Sequence, residues 1–149
     1  MTNTSVVKTP VQFAYAAQID TLENATNAIG MSIVKGAASF CEIAYALAEV
    51  DRKKLASVNG NFKTTADYAE AMFNFKHAQT SNYIKLAKRF LSVDKAAKKI
   101  SFNKAMVGDN EFSVTQLTET LTLPEDVTKD LIAKGDIVDT MTVREIREV

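Results

Sequence analysis

Two apolar stripes of helical period, one at 68–73 and one at 80–90, commit the middle of this chain to a pair of helices joined by a short turn. In the first stripe Tyr68, Ala69, Met72 and Phe73 turn inward from a helix that starts near Thr65. In the second, Thr80, Tyr83, Ala87 and Phe90 follow one face of a helix that ends near Leu91. Between the helices stand Asn74 and Phe75, and the second helix is expected over roughly Lys76 to Leu91. Asn takes a left-handed backbone more readily than any residue but Gly, so Asn74 is the expected turn and Phe75 the apolar plug behind it. Ala69 and Ala71 supply small residues, which let a second helix cross the first closely. The outward side of the second helix then carries Lys76, His77, Ala78, Gln79, Ser81, Asn82 and Lys85, and Lys88 and Arg89 continue it.

Charge is distributed in a way that gives this outward side a partner. The chain has 149 residues and a formal net charge of +0, but the balance is not uniform. Residues 1–51 hold two Lys against five acids, a net of −3. Residues 52–104 hold twelve Lys and Arg against three acids, a net of +9, and residues 105–149 hold four basic and ten acidic residues, a net of −6. Nine excess positive charges in one block repel each other unless an anion answers them, and a phosphate backbone is the expected one. Asn82 and Lys85 suit base edges or phosphates, and His77 and Ser81 can donate to phosphate. The DNA-contacting set expected from sequence is Lys76, His77, Gln79, Ser81, Asn82, Lys85, Lys88, Arg89 and Lys95, the last from the basic stretch at 95–104.

The rest of the chain reads as helix. Only 5 Gly and 2 Pro occur, and no segment alternates apolar and polar residues over a convincing strand length. Residues 1 to about 10 read as a polar tail, and 11–28 as a weakly marked helix. Ile33, Ala37, Phe40, Ala44 and Leu47 recur at steps of four and three, predicting one helix of about 20 residues with Cys41 beside its stripe as a packed thiol. Asn59-Gly60-Asn61 marks a turn, and Gly108-Asp109-Asn110 marks a boundary. Beyond it, Ser113 with Gln116 and Thr122 with Glu125 fit capping boxes, Gly135 fits a helix stop, and Thr142 to Glu145 opens a last helix. The expected fold is all-α, with a helix-turn-helix core, an N-terminal helical extension and short C-terminal helices. The expected regions are 1–28 (tail and weak helix), 29–104 (basic, DNA-binding) and 105–149 (acidic, helical).

The central segment resembles the helix-turn-helix of regulatory or replication- and partition-type proteins on phages, plasmids and conjugative elements of Gram-positive bacteria. The likeness lies in a helix like that at 40–55, the lead-in Phe62-Lys63-Thr64, the Tyr68-Ala69-Glu70 motif and the recognition-helix run from Ser81 through Asn82, Tyr83 and Ile84 to Lys85. The runs from Phe112 to Leu117 and from Met141 to Arg147 are similar to a downstream segment of that group, so the resemblance covers about residues 33–147. It implies sequence-specific binding of double-stranded DNA. Lys76 stands where such proteins usually carry a capping Ser or Thr, and Asn74 where they usually carry Gly.

Several classes find no support in the sequence. A single His77 and a single Cys41 do not make a zinc site, no Gly-rich phosphate loop or nucleophile elbow occurs, and neither catalysis nor a cofactor is expected. No run approaches a membrane span, and the lone cysteine suits a reducing, cytoplasmic setting. A homodimer is expected, because one recognition helix covers only a few base pairs. The alternative is a protein-interaction module, such as a phage inhibitor of a host protein. It would use the basic surface, or use the ten C-terminal acids as a nucleic-acid mimic.

Overall fold

The computed structural model describes residues 14–35 and 40–149, which are mainly helical. In chain order the elements are β1 (Ala14–Tyr15), α1 (Leu22–Lys35), α2 (Phe40–Lys53), α3 (Leu55–Val58), α4 (Thr65–Phe73), α5 (His77–Phe90), β2 (Leu91–Asp94) and β3 (Lys99–Phe102). Then follow α6 (Lys104–Val107), α7 (Val114–Thr120), α8 (Glu125–Ala133) and α9 (Val143–Arg147). Among the described residues no helix is long and apolar enough to cross a membrane.

The helical character matches the sequence reading, but a small antiparallel sheet of order β1-β3-β2 is an addition to it. Leu91 pairs with Phe102 and Val93 with Ile100, so the apolar residues of both long strands share one face. That face packs on Ala16, Phe40, Cys41 and Tyr45. The alternation is present, but strands of four residues are too short to make it stand out from helical patterns.

The stripe expected on one helix at 33–47 is split. Ile33 belongs to α1, where it is 43% exposed, whereas Phe40, Ala44 and Leu47 belong to α2. Ala37 lies outside the described residues, as does the expected tail at 1–10. The weak helix expected at 11–28 begins only at Leu22, after the strand at Ala14–Tyr15.

Two cores meet along α5. The first gathers Leu22, Ala25 and Ile29 of α1, Ile43, Ala46, Leu47 and Val50 of α2, and Tyr68 and Ala69 of α4, with Tyr83 and Ile84 of α5 against it. The second gathers Leu86 and Phe90 of α5 with Met106, Val107, Phe112, Leu117, Ile132, Ile137 and Ile146 of the acidic region. Tyr83 and Ile84 thus serve one core and Leu86 and Phe90 the other, on two sides of one helix. At the 59–61 turn, a Cβ added to Gly60 would meet Leu22 Cδ2 at 2.5 Å and the Ala56 carbonyl at 3.1 Å, so a larger residue there displaces the Leu22 side chain.

The caps explain where the short helices begin. Ser113 and Thr142 form complete capping boxes with Gln116 and Glu145. The box expected from Thr122 and Glu125 does not form. Thr122 donates to the Glu119 carbonyl instead, and Pro124 stands at the N-cap of α8 without a side-chain bond. Gly135, at φ +81°, follows α8 as the expected stop.

Candidate nucleic-acid interface

The turn between α4 and α5 is fixed at three levels. Thr64 caps α4 by accepting from the Asp67 N–H at 3.0 Å. Asn74 closes it in the left-handed region, at φ 60° and ψ 30°, with its N–H bonded to the Glu70 carbonyl. Aromatic side chains then hold the crossing: Phe62, Tyr68, Phe73, Phe75 and Tyr83 follow one another with ring centroids 5.6 to 5.8 Å apart. The Tyr68 hydroxyl, in a buried side chain, pairs with Thr26 Oγ1 at 2.8 Å. Ala69 is fully buried at the crossing, as its size requires, but Ala71 and Met72 are exposed rather than inward.

α5 starts without a capping side chain. Lys76 has extended backbone at the N-cap and its side chain accepts nothing, so no side chain answers the first N–H groups of the helix. His77, more than half exposed, turns back to α4, with Nε2 3.4 Å from Asp67 Oδ1 and 3.5 Å from Glu70 Oε1. Gln79 is exposed on the same first turn.

Along the outward side, Ala78, Ser81, Lys85 and Lys88 recur at steps of three and four and are all exposed, so they form one stripe. Asn82 lies at its edge and is half-buried. Ser81, Lys85 and Lys88 form one wall of a surface groove of about 320 Å³. Thr64, Thr65 and Ala66, at the start of α4, form the other, and Asp51 and Thr80 also line it. Asp51 accepts from Thr65 Oγ1 at 3.2 Å and faces Lys88 Nζ at 3.5 Å. Thr80 is 1% exposed, and its hydroxyl has no hydrogen-bond partner.

Arg89 departs from the expected set. Its guanidinium donates to the Leu123 carbonyl at 2.9 Å, the Thr120 carbonyl at 3.2 Å and Thr128 Oγ1 at 3.4 Å. It thereby ties the end of α5 to the turn between α7 and α8. The reason is rotation along the helix: Arg89 adjoins Phe90 on the side that enters the second core, while Lys88 adjoins the stripe.

Lys95 sits in the β2–β3 hairpin, joined directly to α5 through Leu91. The hairpin loop is shaped by Asp94, whose carboxylate accepts from the Ala97 N–H at 3.0 Å, and by Lys98 in the left-handed region at φ 56°. Lys95, Lys98 and Lys99 are all exposed there. The sequence reading took only Lys95 from this cluster, because nothing in it marked a hairpin. The charge of Lys95 is felt at the end of α2. There Arg52, bonded to Glu49 at 2.8 and 3.0 Å, holds the Glu49 carboxyl below the usual range, and Lys53 and Lys95 add smaller pulls in the same direction.

Cys41 is packed, as expected, and burial followed by the Glu42 charge pushes its thiol up to about 12. Among the described residues no group of three His, Cys, Asp or Glu side chains is placed to hold a metal ion. Comparison with known proteins adds no relative: no family model, no curated protein and no solved structure matches the chain.

Proposed function

We propose that this chain binds double-stranded DNA in a sequence-specific manner, with α4 and α5 as a helix-turn-helix and α5 as the helix that enters the major groove. The observation that carries the reading is the exposed stripe Ala78, Ser81, Lys85 and Lys88, on a helix whose other sides are taken by two cores. A B-DNA major groove about 12 Å wide admits one helix, and the helix needs a polar, protruding side with its back firmly packed. Small and polar side chains at 78, 81 and 82 let the backbone approach base edges, and Lys85 and Lys88 reach phosphates on either side.

The β2–β3 hairpin supplies a second cationic arm. Its Lys95, Lys98 and Lys99 project from a loop that follows α5 without a linker, which suits contact with flanking phosphates. Arg89 has no part in this surface; it anchors the acidic region to α5. The role on a mobile element, as a transcription regulator or a replication or partition factor, follows from the sequence resemblance and is proposed with it, and the cytoplasmic setting is proposed from the lone Cys41.

The test is binding to duplex DNA from the protein's own genomic neighbourhood, followed by fluorescence anisotropy at increasing salt. With about 4 to 6 phosphates contacted, log K falls against log salt with a slope of roughly −4 to −5. An affinity that stays flat with salt refutes the reading.

A further inference from the structure

The groove between the start of α4 and the middle of α5 holds two features that packing leaves unanswered. The first is a hydroxyl. Thr80 lines the groove and is 1% exposed, and its Oγ1 is the one buried side-chain polar atom without a partner among the described residues. A buried hydroxyl left unbonded is costly, and a ligand that answers it offsets that cost. The second is a helix end. Thr64 caps α4 by accepting from the Asp67 N–H, but the N–H groups of Thr65 and Ala66, on the groove wall, have no carbonyl within the helix to bond. They lie at the positive end of a helix of 9 residues.

Charge favours the same occupant. Lys85 and Lys88 stand on the opposite wall, and Asp51 is the single carboxylate of the groove, so one positive charge is left over. Asp51 is already engaged, by Thr65 Oγ1 at 3.2 Å and Lys88 Nζ at 3.5 Å. Lys85 is exposed and has no ion-pair partner among the described residues.

We propose that this groove binds a terminal phosphate group, of inorganic phosphate or of a small phosphorylated molecule, between the α4 N-terminus, the Thr80 hydroxyl and Lys85. The phosphate oxygens accept from the Thr65 and Ala66 N–H groups and from Thr80 Oγ1, and Lys85 supplies the countercharge. The groove volume of about 320 Å³ equals about ten waters at liquid density, which admits a phosphate with a short ester chain. A terminal phosphate carries about −1.5 to −2 charges at pH 7 and has ester carbon on one side only. A duplex phosphodiester carries a single charge, and the chain on both its sides holds it away from a hydroxyl as deep as that of Thr80. The site itself does not rest on DNA binding. One consequence does: Ser81, Lys85 and Lys88 also belong to the stripe proposed to face DNA, so a phosphate ester in the groove and duplex DNA exclude each other.

The experiment is a titration of the isotope-labelled full chain, without DNA, with inorganic phosphate, glycerol 3-phosphate and dimethyl phosphate, followed by amide NMR at constant ionic strength. The Thr65, Ala66 and Thr80 amides are expected to shift saturably with the first two ligands, at a Kd on the order of 1 mM, and dimethyl phosphate to bind about tenfold more weakly or less. Thr80→Val, which keeps the side-chain shape, raises Kd about tenfold or more, and Thr80→Ser restores it. Lys85→Ala raises Kd about three- to tenfold and Asp51→Asn lowers it about two- to fivefold, since the first removes an attraction and the second a repulsion. Shifts that do not saturate by about 20 mM, or binding indifferent to Thr80→Val, overturn the site. Dimethyl phosphate binding as tightly as glycerol 3-phosphate overturns the terminal-phosphate assignment. Fluorescence anisotropy with duplex DNA tests the exclusion separately, with DNA affinity expected to fall when glycerol 3-phosphate saturates the groove. An unchanged affinity, or no DNA binding at all, overturns the exclusion and leaves the site standing.

Discussion

Lys88 and Arg89 are neighbours in sequence and alike in charge, yet the structure assigns them opposite consequences. Replacing Arg89 with Ala removes the donor from the Leu123 carbonyl, bonded at 2.9 Å, and one of the donors to the Thr120 carbonyl. Thr120 keeps the Leu123 N–H at 3.0 Å, so its loss is partial. A hydrogen bond to a charged group is worth about 1.5–3 kcal/mol, which puts the whole change at about 2–3 kcal/mol. Lys88 offers only an exposed contact to Asp51 at 3.5 Å, worth about 0.5 kcal/mol or less. Urea unfolding at pH 7, followed by far-ultraviolet circular dichroism, separates the two. For urea slopes of about 1–3 kcal/mol/M, Arg89→Ala lowers the midpoint by about 0.7–3 M, and Lys88→Ala leaves it nearly in place. On the proposed DNA binding the ranking reverses, and Lys88→Ala weakens that binding at unchanged stability. An Arg89→Ala protein within about 0.5 kcal/mol of the parent would falsify the anchoring role, since surface changes of that size are ordinary.

Under the DNA reading, Asn82→Ala loses about 1–3 kcal/mol for a preferred site and less for random sequence, whereas Lys85→Ala, Lys95→Ala and Lys98→Ala weaken both about equally. Competition anisotropy measures this, and equal losses throughout would place α5 outside the groove. Thr80→Val removes a buried hydroxyl without a partner at nearly constant shape, so stability rises by up to about 1 kcal/mol; a drop of similar size in urea unfolding would mean that the hydroxyl is bonded. Stability also declines in alkali. The Cys41 thiol is raised from 9.0 to about 12, so its contribution is complete below about pH 9 and is lost as pH rises toward the folded value. Burial raises Tyr45 and Tyr68 as well, which deepens the decline above pH 10. Cys41→Ala flattens the first part of that profile, and an unchanged profile contradicts a buried thiol.

How much was legible depended on whether a feature was written in local sequence. The turn at Asn74 was, because its backbone demands a residue tolerant of the left-handed region, and so were the boxes at Ser113 and Thr142. Periodicity failed at 33–47 because apolar spacing alone does not say where α1 ends and α2 begins, nor that Ile33 stands off the buried side of α1. It failed at 91–102 because two four-residue strands leave only Leu91, Val93, Ile100 and Phe102 to show alternation. The fate of Arg89 was not legible at all. Which side of α5 it occupies depends on a second core built from residues far along the chain, and a charge count treats every cation in the block alike. The same holds for Asp51, which comes to Lys88 from α2 across the first core.

A helix embedded in two cores divides its own sequence into fixed and free letters. Tyr83, Ile84, Leu86, Arg89 and Phe90 each answer to a neighbour inside the molecule, and exchanging them disturbs one half or both. Ala78, Gln79, Ser81, Lys85 and Lys88 answer to none of these packing demands. Variation at those five positions can retarget the surface while the architecture stands still, so a descendant with a new specificity needs no new scaffold. A graft of the entire helix into another protein, by contrast, would carry half of two interiors with it and find neither.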